Sequence, residues 1–318
     1  MSLRASLLAS LAASVAHAGA WTQGRGHGYA KLSTTAFFAD QRFDASGEAR
    51  PLDDATFLGE GFARRVTGGR VREHAAWLYG EAGVAERVDL LAKIGWRASD
   101  TRFQCSGPCS DNSTVVDNDD VVHIGNAGLG DGEIGAKVRV LHVPVVSLAL
   151  SVAAPTYSND LEVLRLHDQN FFNDRSPLGT GSIDVEGRAL VGLSLGRGWL
   201  GAEAGLRART KGYADLAGYL VQGGAPIAWR LRAALGVGGF VPVGDGSRRD
   251  AHEPPREEEV IGAGKVIFPS RESAHKLLPS IAVDLPLGFA LELGGQWVFA
   301  GKRTNAGWGL EAGISYRR

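Results

Sequence analysis

Val88-Asp89-Leu90-Leu91-Ala92-Lys93-Ile94-Gly95-Trp96-Arg97 is the stretch whose reading decides the fold. One parity runs Val, Leu, Ala, Ile, Trp; the other runs Asp, Leu, Lys, Gly, Arg. Successive side chains of a strand point to opposite faces, so this segment has one apolar and one polar face. The alternation recurs outward in both directions. Ile134, Ala136, Val138 and Val140 alternate with Glu133, Gly135, Lys137 and Arg139. Ile183, Val185, Ala189, Val191 and Leu193 oppose Asp184, Glu186 and Arg188, and Leu200 to Ala208 oppose Glu203, Arg207 and Arg209. Trp229 to Val237 oppose Arg230 and Arg232, Phe289 to Phe299 oppose Glu292 and Gln296, and Trp308 to Tyr316 oppose Glu311, Ser315 and Arg317.

A soluble sandwich alternates in the same way, and two features separate it from this chain. The runs are about ten residues long, the length a tilted strand needs to cross a bilayer, whereas soluble strands average about five or six. The connections also alternate in length. Val84–Glu86, His142–Pro144, Gly196–Gly198, Gly224–Ile227 and Pro286–Gly288 are tight, while Ala39–Arg72, Ala98–Ala127, Pro155–Thr180 and Pro242–Lys276 are long and polar. Lys211–Asp215 and Gly301–Ala306 are the two short exceptions on the long side. Short turns at one end and long loops at the other describe a bacterial outer-membrane barrel. Adding Tyr29–Phe38, Ala75–Gly83, Val145–Ala153, Leu216–Gly223 and Leu277–Leu285 to the seven runs above gives twelve antiparallel strands, or fourteen if Thr56–Arg70 forms a further hairpin. An even number puts both termini on the periplasmic side. Trp96, Trp199, Trp229, Trp297, Phe299, Trp308 and Tyr316 are read as the aromatic girdles at strand ends.

Composition agrees. Glycine is 44 of 318 residues, methionine 1 and cysteine 2, which favours close strand contacts and tight turns over helices. The longest apolar run, near Val143–Ala154, is interrupted by Pro144 and two serines, so no membrane-spanning helix is expected. A membrane chain without one must satisfy its backbone between strands. With 34 basic and 35 acidic residues, nothing points to nucleic acid. Arg4, the apolar run Ala5–Val15 and Ala16-His17-Ala18 make a secretory leader over residues 1–18, leaving a barrel domain over 19–318. The expected location is therefore the outer membrane of a Gram-negative cell, with outer-membrane lipid and the barrel assembly machinery as partners.

Several segments resemble a known group. Gly19-Ala20-Trp21-Thr22-Gln23, Gly28-Tyr29-Ala30-Lys31-Leu32-Ser33 and Arg42–Leu52 resemble the mature start of XagA-like outer-membrane proteins. Gly128–Lys137, Leu178–Val185 and Ala300–Asn305 are similar to strand and turn signatures of meta-pathway-type outer-membrane transporters, relatives of the fatty-acid transporter superfamily. The resemblance implies a barrel related to transporters of hydrophobic compounds and transfers no catalytic residue. The chain ends Tyr316-Arg317-Arg318, without the terminal aromatic usual in such barrels. The stretch before Tyr29 is too short for the long plug of the fatty-acid transporters, so their ligand-release mechanism does not carry over.

Candidate chemistry is sparse. Gly192-Leu193-Ser194-Leu195-Gly196 matches a nucleophile elbow, but that motif needs a strand–turn–helix, and here one strand leads to another. His74, His123, His167 and His275 form no evident Ser–His–acid set. Gly128 and Gly130 are followed by Glu133 where a dinucleotide fingerprint requires glycine. Cys105 and Cys109, in one turn-prone loop of an exported chain, are expected to close a small disulfide ring. Zinc there would need further ligands beyond His123. Asp117–Asp120 and Arg256–Glu259 read as solvated loop charges. No enzyme, metal or cofactor is expected.

The inward parity holds the functional clue. Its acids are Asp89, Glu133, Asp184, Glu186, Glu203, Asp284, Glu292 and Glu311; its bases are Lys93, Arg97, Lys137, Arg139, Arg188, Arg207, Arg209, Arg230 and Arg232. This near balance predicts weak ion selectivity, or a lumen filled by ion pairs. Tyr29, Phe37, Trp77 and Tyr79 share the inward parity if Glu81 does, and either bind an apolar or amphipathic solute or fill space. The lumen candidates are thus Tyr29, Phe37, Trp77, Tyr79, Lys93, Arg97, Glu133, Lys137, Arg139, Arg207, Arg230 and Arg232. The expected function is passive transport or capture of a small hydrophobic or amphipathic compound. The alternatives are a surface-structural or polysaccharide-export-associated barrel acting through its loops and, weakest, an outer-membrane hydrolase.

Overall fold

A computed structural model describes residues 19–54, 66–105, 121–156, 181–210, 213–244 and 271–318. The leader expected over residues 1–18, Cys109 and the charge runs at 117–120 and 256–259 lie outside these residues. Cys105 closes a strand, so the disulfide expectation also falls outside.

The strands are β1 (Gly28–Phe43), β2 (Ala49–Pro51), β3 (Val66–Ala85), β4 (Val88–Cys105), β5 (Val121–Leu129), β6 (Asp131–His142), β7 (Val145–Pro155), β8 (Asp184–Leu195), β9 (Gly198–Arg209), β10 (Asp215–Pro226), β11 (Leu231–Val243), β12 (Ser273–Asp284), β13 (Phe289–Lys302) and β14 (Asn305–Arg317). Each pairs antiparallel with its neighbour, and β14 closes back onto β1 from Tyr29↔Arg317 to Arg42↔Asn305. β5 and β6 form one stave broken at Gly130: β6 pairs with the lower half of β4 and β5 with its upper half. The Gly130 amide bridges the break by donating to the Gly95 carbonyl at 2.7 Å. β2 is a short flap on the end of β1. The closed ring therefore has twelve staves. Val66–Arg70, read as part of a further hairpin, instead extends β3.

The apolar parity faces outward. Leu90, Ile94, Trp96, Ile134, Leu148, Leu150, Leu206, Leu235, Leu291, Leu293, Trp308 and Leu310 are all exposed, whereas Asp89 and Lys137 are 0% and 1% exposed. Large exposed apolar side chains outside and buried charge inside invert the soluble pattern, and hydrocarbon as the outer solvent accounts for it. A broad apolar hollow of about 830 Å³ is lined by outward Ala82, Leu90, Ala92, Ile134, Ala136 and Leu150. Its apolar lining faces outward, on the bilayer side of the wall.

Three expectations need correction. Trp199 is not a girdle residue: it is 4% exposed and faces the lumen. Trp229 is not on a strand, because β11 begins only at Leu231; it stands 84% exposed in the turn before it. Arg230 shares that turn, exposed and stacked 4.1 Å over the Trp229 ring, so it is no lumen residue. The turn Ile227–Arg230 is closed by Ile227 and Ala228 amides donating to the Leu231 carbonyl, which removes these residues from the strand's alternation.

Candidate functional site: the plugged lumen

The lumen has two unlike walls. From β3 to β9 the inward positions carry a ladder of paired charges. Arg188 lies 3.2 Å from Glu203 and 3.7 Å from Glu133, and Arg207 lies 2.7 Å from Glu186. Arg97 pairs with Glu73 at 3.6 Å, while Lys93 sits 4.4 Å above the Trp77 ring. Tyr79 donates its hydroxyl to Glu81 and packs against Tyr29 at 6.2 Å between ring centroids. Arg139 points inward at the turn end, where it donates to the Glu86 carbonyl at 3.0 Å. Arg232 pairs with Asp284 at 2.5 Å. At the closing seam Lys31 bridges Glu292 and Glu311 at 2.8 and 2.7 Å, and Ser315 donates to Glu292 at 2.7 Å.

The opposite wall, from β10 round to β1, adds an apolar patch to its own polar groups, which include Arg232–Asp284, the Lys31 cluster and Lys276 beside Gln296 at 3.5 Å. Leu220 and Leu278 lie over the inward glycines Gly236 and Gly238. Towards the long-loop end, Phe37 and Phe240 pack on buried Phe43, Ala274 and Val298. Phe37 alone of this group was a sequence-based candidate. Leu220, Leu278, Phe240 and Val298 share the inward parity with polar residues such as Gln222, Lys276 and Gln296, so alternation alone does not mark them as a patch. The alternation itself weakens there, and that weakening was the available signal.

The segment Gly19–Gln23 lies inside the turn end of the lumen, bound to β3, β4, β6, β7 and β9. Lys137 Nζ donates to the carbonyls of Trp21 at 2.9 Å and Gly19 at 3.2 Å, while pairing with Glu81 at 2.9 Å and Asp89 at 3.5 Å. The Gln23 amide donates to both Asp89 oxygens at 3.1 and 3.0 Å, and its side-chain amide donates to Glu81 at 2.9 Å. Ser147 Oγ donates to the Ala20 carbonyl. Trp21 meets Trp199 edge to face, 6.5 Å between centroids and 89° between planes. Its indole lies flat on Gly192, where a β-carbon would fall 2.7 Å from a ring atom. The space left between the segment and β8–β10 is about 10 Å³, room for at most one water molecule. The short N-terminal stretch, expected to lack the long plug of the fatty-acid transporters, is instead packed into the lumen itself. It needs few residues because buried carboxylates and a lysine bind its backbone directly.

Arg230 and Arg232, adjacent in sequence, separate here: Arg232 lines the lumen and Arg230 does not. Ser194 lies near the exposed end of β8, and Gly196, at φ 62°, turns the chain straight into β9. The strand–turn–helix of a nucleophile elbow is not formed.

No family model matches the chain, and no curated protein does. Among solved structures it is similar to the COG4313 outer membrane channel from Pseudomonas putida F1. The TM-score is 0.58 at 12% identity, over 92% of this chain and 96% of that one. The chain is an outer-membrane β-barrel. The translocator domain of the autotransporter NalP from Neisseria meningitidis is also similar, at TM-score 0.43 and 11% identity over 99% of this chain and 95% of that one. So is a Pseudomonas aeruginosa FadL homologue, at 0.39 and 9% over 91% and 90%. Likeness at these identities concerns the fold alone; the closed barrel with its outward apolar band agrees with a Gram-negative outer-membrane location.

Proposed function

We propose that the chain is a passive channel for small apolar or amphipathic solutes, held shut by residues 19–23. The observation that carries this reading is the two-sided lumen. Its charges on one wall are consumed in ion pairs, so they offer a hydrated solute little net field. The facing wall offers Leu220, Leu278, Phe240, Phe37 and Val298 to an apolar surface. A solute with one greasy and one polar side matches both walls at once. The resemblance of the sequence to XagA-like and meta-pathway-type transporters points in the same direction.

Proteoliposomes test this directly. With residues 19–23 removed, a small aromatic alcohol should enter faster than a sugar of equal size. Phe37→Ser with Phe240→Ser should abolish that preference while leaving sugar entry unchanged. Equal entry of both solutes through the truncated chain would refute the apolar-wall reading.

A further inference from the structure

The outer surface carries one feature that a channel does not require. β3 and β4 run 20 and 18 residues, far longer than a bilayer crossing needs. On their outward parity the apolar band climbs from Val84 through Leu78 on β3, and from Leu90 through Ile94 to Trp96 on β4. His74, Phe38 and Trp308 then form an aromatic belt, with Phe38 packed on both of the others at 6.3 and 5.0 Å. At the belt and directly above it the same outward face turns basic: Arg72 stands between Phe38 and Asp100, and the next outward row sets Arg70 directly opposite Arg102. From Val84 to Arg72 the strand rises about 3.3 Å per residue along a tilt of roughly 40°, a lift of about 30 Å. That carries the arginines past the apolar band into the headgroup layer on the long-loop side.

Like charges placed directly opposite across two strands repel, so the Arg70–Arg102 pairing is unfavourable without an anion. Of the described acids, Asp100 offsets it only in part, against three arginines. Asp100 pairs with Arg102, and Asp53 accepts the Gly68 amide at 2.7 Å. Neither Arg70 nor Arg72 has a carboxylate within ion-pair distance among the described residues. The register is also held in place: the irregularity at Gly68–Gly69 realigns β3 so that Thr67 and Arg70 both face outward. Three guanidiniums on one rigid face, against one carboxylate, match the forked geometry of phosphate oxygens.

We propose that Arg70, Arg72 and Arg102 form an external binding site for the phosphorylated headgroup of an outer-leaflet glycolipid. The acyl chains of that lipid lie along the apolar band below, and its phosphates reach the arginines above the belt. The site is independent of the lumen, and it stands whether or not the channel reading holds.

The test uses the full mature chain in detergent, with three probes: diphosphorylated lipid A, the same lipid stripped of both phosphates, and inorganic phosphate. Binding is read by native mass spectrometry. Diphosphorylated lipid A should bind the wild type at least about tenfold tighter than the stripped lipid, the scale of losing one charge-assisted contact. Arg70→Gln/Arg72→Gln/Arg102→Gln should erase that difference. Retention of the folded band on unheated gels shows that the variant is intact. The single variant Arg70→Gln, which leaves the Arg102–Asp100 pair in place, should weaken binding part-way. Equal binding of both lipids by the wild type would overturn the proposal, as would undiminished binding by the triple variant. Full competition by inorganic phosphate at micromolar concentration would also overturn it, by assigning the site to a free anion instead of a lipid.

Discussion

Replacing Lys137 by methionine should open the lumen, and the size of the effect follows from the contacts of one nitrogen. Lys137 Nζ donates to two carbonyls of the N-terminal segment, at 2.9 and 3.2 Å. Hydrogen bonds from a charged donor contribute about 1.5–3 kcal/mol each, so their loss weakens docking by about 3–6 kcal/mol. At about 1.4 kcal/mol per decade this is roughly two to four decades in the docking equilibrium. A second effect adds to it. Glu81 and Asp89, both with fully enclosed side chains in the closed state, lose their shared cation. Stranding a buried charge costs about 3–5 kcal/mol, and that cost falls on the closed state, because water reaches both carboxylates once the segment leaves. The Gln23 contacts to Asp89 and Glu81 persist and recover part of the loss. The net expectation is at least a hundredfold rise in open probability in single-channel recordings. A folded Lys137→Met barrel with wild-type open probability would refute the reasoning, since among the described residues no other barrel side chain donates to the segment while pairing with Glu81 and Asp89.

Three further outcomes follow. Gly192→Ala places a methyl 2.7 Å from the Trp21 ring and should raise conductance; Gly192→Ala with Trp21→Ala should match Trp21→Ala alone, measured in the same bilayers. Lys31→Met removes the Lys31 cation from Glu292, nearly enclosed at the β1–β14 seam, and should destabilise the barrel by about 3 kcal/mol, read as a lower temperature for loss of the folded gel band. In the loop after β1, Asp44 accepts the amides of Ser46, Gly47 and Glu48 and the guanidinium of Arg50. Its carboxyl is lowered to about 2, first by the Ser46 hydroxyl, against the burial that raises it. A folded value below the unfolded one, about 3.9, makes this anchoring complete above pH 4 and progressively lost as pH falls through about 2. Hydrogen exchange of Ser46–Glu48 should accelerate over that window in the wild type, and Asp44→Asn should flatten the response.

Much of the barrel was legible because its code is local. A period of two, repeated over ten residues, sorts Leu90 from Asp89 without knowledge of any partner. Turn positions were less secure, since Trp229 and Arg230 continue the alternation of β11 although backbone hydrogen bonds place them outside it. The plug was invisible for a different reason. Gly19–Gln23 has no periodicity, and its partners Lys137 and Ser147 are more than a hundred residues away. Trp199 misled for the same reason: an aromatic near a strand end reads as a girdle until Trp21 is seen against it. Lys31 was overlooked because the inward face of β1 was read for its aromatics, and its two carboxylates belong to β13 and β14.

Single-channel recording of the full chain beside the chain lacking residues 19–23 is the most direct test of a lumen closed by its own N-terminus. The full chain should remain shut with rare brief openings, and the truncated chain should conduct continuously. Identical traces from two folded barrels would contradict the account.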